Sequence, residues 1–308
     1  MLARSRTTVA IALGCALATA ALVGCEASSS ADRQVSADGT TDNAEDRAGG
    51  KDLLTGTKKI DVGGQSVNVS CAGREVADRP VVVLLSGGGD GLEKLAGLQK
   101  TLSGEGRVCS YDRLGEGASD KPAGPQTLES TGEVLSAVLD QAAGDGPVVL
   151  AGHSLGGLIA GRYAPGHRDR VKGLVLMDAT SPTQIADLVE GIPESAPASA
   201  AGLRDQTLAI LRGGEPELLT VPDGDVRSAG DIPVEVIQHG KQYLAAVPDY
   251  GPGLERAWSE GQRKWLALSS RSKLSTAAES EHYIYLDQPE VAVEAIERVI
   301  SQAGVDGE

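Results

Sequence analysis

The sequence is poor in the residues that most often carry specialised chemistry. It has four histidines, four cysteines, two tryptophans and no phenylalanine, and aromatic residues make up only 3% of its 308 positions. It contains no His-x-x-x-His or Cys-x-x-Cys pair, so no metal site is expected. No glycine-rich phosphate loop of nucleotide-binding form follows the first predicted strands, and no cofactor is expected either. Cationic side chains are also in deficit: 28 Lys and Arg stand against 43 Asp and Glu, for a formal net charge of -15. That balance argues against nucleic acid or an anionic lipid surface as the partner.

What is present starts with an export segment. Residues 1–24 carry Arg4 and Arg6, then an uncharged run of about fifteen Ala, Leu and Val-rich residues, the pattern of a secretory signal and too short for a membrane span. Its end, Leu22-Val23-Gly24-Cys25, resembles the lipobox of bacterial lipoproteins. The resemblance implies that Cys25 becomes the lipid-modified first residue of the mature protein, held on the outer face of the bacterial cell membrane by its acyl chains alone. Residues 25–56 are rich in Ser, Ala, Asp, Gly and Thr with no aromatic, so they cannot bury enough surface to fold and read as a disordered tether. A flexible chain of about 30 residues spans roughly 30 Å. Without residues 1–24 the formal charge becomes -17, because two Arg and no acid are lost.

Two further cysteines lie in the exported part, Cys71 in "SVNVSC" and Cys109 in "RVCSYD". An even pair in an oxidising compartment predicts a disulfide, here between neighbouring strands. From residue 57 onward strand and helix signals alternate. "VVVLL" (81–85), "PVVLA" (147–151) and "VKGLVLM" (171–177) are continuous apolar runs of the kind that form strands covered on both faces, and "IPVEVI" (232–237) follows later. Helical spacing predicts helices near 92–102, 127–142, 155–163 and 254–268, and a last one starting at Pro289. Such alternation means an α/β domain over residues 57–308, with a mostly parallel central sheet and helices on both faces. Between about 183 and 231 the regularity breaks, and this stretch reads as a small cap over the carboxyl edge of the sheet, where open α/β sheets place their ligands.

One turn stands out at that edge. "VVLAGHSLGGLIAGRY" (148–163) passes from a buried strand through Gly152-x-Ser154-x-Gly156 directly into a helix. Side chains two positions either side of Ser154 would collide with the adjacent strand and helix, which explains the glycines. Unpaired N–H groups at the helix start favour negative charge developing beside the serine.

In this context the chain resembles the α/β-hydrolase superfamily over about residues 57–305, through "VVVLLSGGGDG", "RVCSYDRLGEGASD", "LAGHSLGG", "LVLMDATSP" and "SEHYIYLDQPEVAVEAI" in the family's order. The resemblance implies a serine hydrolase in which Ser154 attacks an acyl carbonyl. Of the four histidines, His153 adjoins the serine and points away from it, His167 precedes a strand and His239 ends one; His282 alone occupies the loop before the last helix, where the family places its base. The commoner position for the acid, after "IPVEVIQHG", holds Lys241-Gln242-Tyr243 and offers none. The family's other position, at the end of the preceding strand, holds Asp178, with Asp249 and Glu255 as alternatives if the chain after 240 folds back. The oxyanion hole is expected from the N–H groups of Leu155 and Gly88. Asp112 and Arg113 read as loop supports, and Trp258 and Trp265 as core residues. Substrates would be small acyl compounds: esters, thioesters or amides. A cofactor-free haloperoxidase with the same residues, a proline-releasing aminopeptidase using acids of the cap (Asp187, Glu190 and Glu194), and a non-catalytic ligand-binding lipoprotein remain open as alternatives. The oligomeric state is not legible.

Overall fold

The computed structural model describes residues 53–304. The export segment, Cys25 and the expected tether as far as residue 52 lie outside the described residues.

Among the described residues, ten strands and eight α-helices follow one another in the order expected of a doubly covered sheet. The strands are β1 (Gly56–Val62), β2 (Gln65–Ala72), β3 (Val81–Leu85), β4 (Val108–Tyr111), β5 (Gln126–Thr127), β6 (Val148–His153), β7 (Val171–Met177), β8 (Leu219–Thr220), β9 (Val234–His239) and β10 (Ser272–Ala277). The helices are α1 (Ala96–Leu102), α2 (Leu128–Ala143), α3 (Leu155–Tyr163), α4 (Gln184–Gly191), α5 (Ala198–Leu211), α6 (Gly251–Lys264), α7 (Ile284–Asp287) and α8 (Pro289–Ala303). The main sheet has eight strands in the order β1-β2-β4-β3-β6-β7-β9-β10. The β1–β2 hairpin is antiparallel and joins the rest through an antiparallel β2–β4 pair; every other pairing is parallel.

The apolar runs explain this layering. In β3, Val81, Val83 and Leu85 enter the core under α2 and α3, while Val82 and Leu84 enter the opposite core under α1 and α8. Successive strand side chains alternate between faces, so a strand with both faces covered must be apolar throughout. Helix α2 starts where Thr127 and Ser130 cap each other's backbone N–H, and Pro289 occupies the first turn of α8 as expected.

Cys71 and Cys109 sit directly opposite each other in the β2–β4 register and are joined as a disulfide, with their Cα atoms 4.1 Å apart. The expected bridge is therefore present. The segment between β7 and β9 forms α4, α5 and β8; β8 pairs with β5 apart from the main sheet. Leu188, Ile192, Ala200 and Leu208 of this segment build a small core of their own with Val247 and Leu254.

Some expected boundaries change, and one strand was not foreseen. The tether cannot extend to residue 56, because Leu54 is buried, its N–H donates to the Gln141 carbonyl and its own carbonyl accepts from Arg107. The helix expected over 254–268 begins at Gly251 and passes into a 3-10 turn after Lys264. Strand β10 was not foreseen: "SKLSTA" is an edge strand, partly exposed and mostly polar, so it lacks the apolar signature of its neighbours. Among the described residues no helix is long and apolar enough to cross a membrane.

Candidate active site

Strand β6 delivers Ser154 to the carboxyl edge of the sheet. The serine has φ 50° and ψ -120°, left-handed territory that a side-chain-bearing residue enters only when its surroundings force it. A Cβ on Gly152 would stand 2.5 Å from the Gly156 carbonyl group, and one on Gly156 would stand 2.4 Å from the Ser86 carbonyl oxygen. The two glycines are thus required by close backbone approach, Gly152 against the start of α3 and Gly156 against the end of β3. Ser154 is half-buried, and its Oγ is engaged by no other group among the described residues.

The neighbouring strand supplies the second member. Ser154 N–H donates to the Met177 carbonyl (3.1 Å) and Thr180 N–H to the Ser154 carbonyl (3.0 Å), which stitches the serine turn to the end of β7. There Asp178, also at positive φ and fully buried, accepts from four N–H groups: His239 N (3.1 Å), His239 Nδ1 (2.9 Å), Trp258 Nε1 (2.8 Å) and His282 Nδ1 (2.8 Å). Burial alone would raise this carboxyl, but the hydrogen bonds and charges of His239 and His282 outweigh it and hold Asp178 well below the usual carboxylate range.

His282 lies in the loop between β10 and α7. His153 fixes that loop from below: its Nε2 lies 3.0 Å from the His282 carbonyl oxygen, and the two rings pack with centroids 4.5 Å apart. A carbonyl can only accept, so Nε2 of His153 carries the hydrogen. Burial first, and then the charge of His282, hold His153 well below its usual value, which keeps it neutral. The His153 ring is thus tied to the backbone of residue 282. His167 stacks on Tyr163 instead, far along α3 from the serine.

Gly88 lies against Leu155, the residue after Ser154: a Cβ on Gly88 would lie 3.4 Å from the Leu155 side chain. Neither N–H donates to another group among the described residues. Arg113, with its side chain 2% exposed, holds the loop carrying Gly88 by donating to the carbonyls of Ser86 (2.7 Å) and Gly87 (2.8 Å). It is paired with Glu217, the residue that leads into β8. Glu116 accepts from Gly89 N–H (2.9 Å), and burial followed by the charge of Glu217 pushes its carboxyl up to about 7. Asp112 accepts from Leu92 N–H, Ala118 N–H and Asn68 Nδ2. Both Asp112 and Arg113 are loop supports, as the sequence suggested.

Other expectations need correction. Trp258 is not core: it is half-buried at the site and bonds Asp178, whereas Trp265 is fully buried as expected. Helix α6 does fold back, yet Glu255 reaches His239 (2.9 Å) rather than His282, and Asp249 stays exposed. Within the cap, Asp187 is held by Ser181, Thr183 and Lys264, while Glu190 and Glu194 face solvent. Sequence reasoning passed over His239. Its position at the carboxyl end of a parallel strand beside β7, on the same edge as Ser154 and Asp178, was the signal that could have found it. Among the described residues no group of three or more His, Cys, Asp or Glu side chains is arranged to hold a metal ion.

Comparison with known proteins agrees with this architecture. A family model described as the alpha/beta hydrolase fold matches residues 80–208. The human (Lyso)-N-acylphosphatidylethanolamine lipase is 32% identical over 152 residues, 46% of this chain and 44% of that protein. Lipase LipV of Mycobacterium tuberculosis is 44% identical over 71 residues, 23% of this chain and 26% of that protein. The chain thus spans less than half the length of these relatives. Among solved structures, a serine hydrolase involved in carbazole degradation superposes with a TM-score of 0.56 at 21% identity, covering 80% of this chain and 98% of that one. A thermophilic esterase from Thermogutta terrifontis gives 0.55 at 20% identity, covering 80% and 99%. The chain has the α/β-hydrolase fold.

Proposed function

We propose that the protein is a serine hydrolase that cleaves carboxylic esters or related acyl bonds. The observation that carries this reading is the 2.8 Å hydrogen bond between His282 Nδ1 and the buried Asp178, next to a half-buried serine in a positive-φ turn at a helix start. In this mechanism Asp178 fixes the His282 tautomer with hydrogen on Nδ1, leaving Nε2 to take the Ser154 proton as Oγ attacks the acyl carbon. The N–H groups of Gly88 and Leu155 stabilise the oxyanion, and His282 returns its proton to the leaving group. Water then enters by the same base catalysis and releases the acid. The lipase relatives and the esterase and serine hydrolase neighbours support the reaction class.

The first test is hydrolysis of p-nitrophenyl acetate, butyrate and decanoate, beside labelling with a fluorophosphonate. Ser154→Ala should lose at least about 10³-fold in kcat and all labelling, leaving the residual rate that oxyanion stabilisation and binding provide. A wild-type protein that neither turns over nor labels would replace this reading with the ligand-binding one.

We also propose export and lipid anchoring at Cys25, a reading that the Cys71–Cys109 disulfide supports, since such bridges persist in oxidising compartments. Expressed from its full sequence in bacteria, the protein should partition with membranes and incorporate labelled fatty acid; Cys25→Ala should abolish both. Incorporation that survives Cys25→Ala would refute the assignment.

A further inference from the structure

Asp178 is surrounded more densely than a triad acid needs to be. Its two oxygens receive four N–H groups, and only one of these belongs to His282. A carboxylate offers about four lone-pair sites, so Asp178 is saturated. The largest share comes from His239, which presents both its backbone N–H and its ring to the acid. On the other side of that ring, Nε2 lies 2.9 Å from Glu255 Oε2, while Glu255 Oε1 accepts from Ala245 N–H at 3.1 Å. Both nitrogens of a buried imidazole therefore face carboxylate oxygens. Acceptors at both ends leave no lone pair to be used on the ring, which is the environment of an imidazolium.

We infer that His239 and Glu255 form a fixed-charge couple behind Asp178, so that a hydrogen-bonded chain Glu255–His239–Asp178–His282 backs Ser154, and in it His239 is a positioning residue and counter-cation. This inference rests on the hydrolase reading of Ser154 and His282 and says how their chemistry is tuned. The couple occupies the end of β9 and the first turns of α6, near the place where the commoner family acid is missing. A base at the end of β9 does what an acid there does elsewhere only in the sense of orientation; its charge is opposite.

The surroundings hold the ring charged. Burial alone would lower it, but the bonds and charges of Asp178 and then Glu255 push His239 up to about 9. Of the other groups against it, Tyr243 packs edge-on at 4.9 Å, and burial followed by the same two carboxylates pushes its hydroxyl well above the usual value, so it stays neutral. Trp258 is uncharged, and Lys241 and Glu279 pair with each other at the surface (3.8 Å). Strand β10, which flanks β9, brings Thr276 and Ala277 beside this end and no charge. His282 faces His239 only across Asp178.

The sign of the effect follows from Coulomb's law. A cation on the far side of Asp178 offsets part of the charge that the carboxylate presents to the imidazole in front of it, so its removal should show in the pH profile of catalysis. Two measurements decide the matter. In wild-type protein with ¹⁵N-labelled imidazoles, the His239 signals, assigned by their loss in His239→Asn, should show both nitrogens protonated from pH 6 to 8. In the pH profile of kcat/KM, His239→Asn, whose amide can still donate to Asp178, should move the acid limb upward by about one pH unit. One protonated nitrogen in that range would overturn the inference, because the proton would then belong to Glu255. An acid limb that stays in place while kcat falls would overturn it too, leaving His239 as scaffold. The NMR measurement needs no turnover, and if His239→Asn does not fold the His239 signals are assigned by their loss in His239→Gln. If wild-type Ser154 takes no fluorophosphonate and hydrolyses no ester, the hydrolase reading fails, while NMR still reports the charge on His239.

Discussion

Replacing Asp178 with Asn should reduce kcat for p-nitrophenyl butyrate by about 10³ to 10⁴-fold with little change in KM, an effect of the size expected when a triad imidazole is held in the wrong tautomer. The direction follows from the donors that converge on this side chain. Oδ1 receives the His239 backbone N–H, the His239 ring and Trp258, whereas Oδ2 receives the His239 ring and His282. An asparagine must put its one carbonyl where most donors point, so its NH₂ group replaces Oδ2 and faces His282. Nδ1 of His282 must then accept, its hydrogen moves to Nε2, and the nitrogen needed to take the Ser154 proton is blocked. Retention of activity within tenfold of wild type would show that another carboxylate holds the base. Fluorophosphonate labelling should slow in parallel, since attack by Ser154 on the probe needs the same proton acceptor.

The parts of this site that were legible in the sequence are those fixed by local backbone demands. A buried strand, a glycine at each side of a serine and an immediate helix leave few conformations open, and close approaches of 2.4 and 2.5 Å at Gly156 and Gly152 show why. Asp178 was singled out only through the family resemblance, which puts an acid at the end of this strand. The charge network was not legible. His239, Glu255 and Trp258 lie on two elements more than ten residues apart, and their meeting depends on how α6 packs over the sheet edge rather than on any spacing along the chain. Strand β10 escaped for a different reason: an edge strand exposed on one side needs no continuous apolar run, so its residues carry little of the signal that marks β3, β6 and β7. The disulfide was legible because both cysteines fell in strands, although only the register that sets Cys71 opposite Cys109 makes it geometrically possible.

The loop that carries Gly88 depends on a second buried network, and disrupting it should be the most destabilising single change outside the apolar core. Arg113 has no route to water: its guanidinium is divided between two backbone carbonyls of residues 86 and 87 and the carboxylate of Glu217. Burial would lower its proton affinity, yet the charge of Glu217 outweighs that and keeps Arg113 firmly charged. Arg113→Met removes the cation and leaves Glu217, 5% exposed, as an unpaired buried charge beside Glu116. Breaking a buried pair in this way costs about 3–5 kcal/mol, which should appear as a lower denaturant midpoint with an unchanged slope. The double variant Arg113→Met, Glu217→Met removes the stranded charge and should recover a large part of the loss, so the two effects will be strongly non-additive. Activity should behave differently. The carbonyls of Ser86 and Gly87 remain without their donor in both variants, so the Gly88 N–H is no longer held in place, and kcat should stay depressed even where stability returns. Additive stabilities would show that the two residues act separately. Full recovery of kcat in the double variant would show that the loop keeps its shape without the arginine.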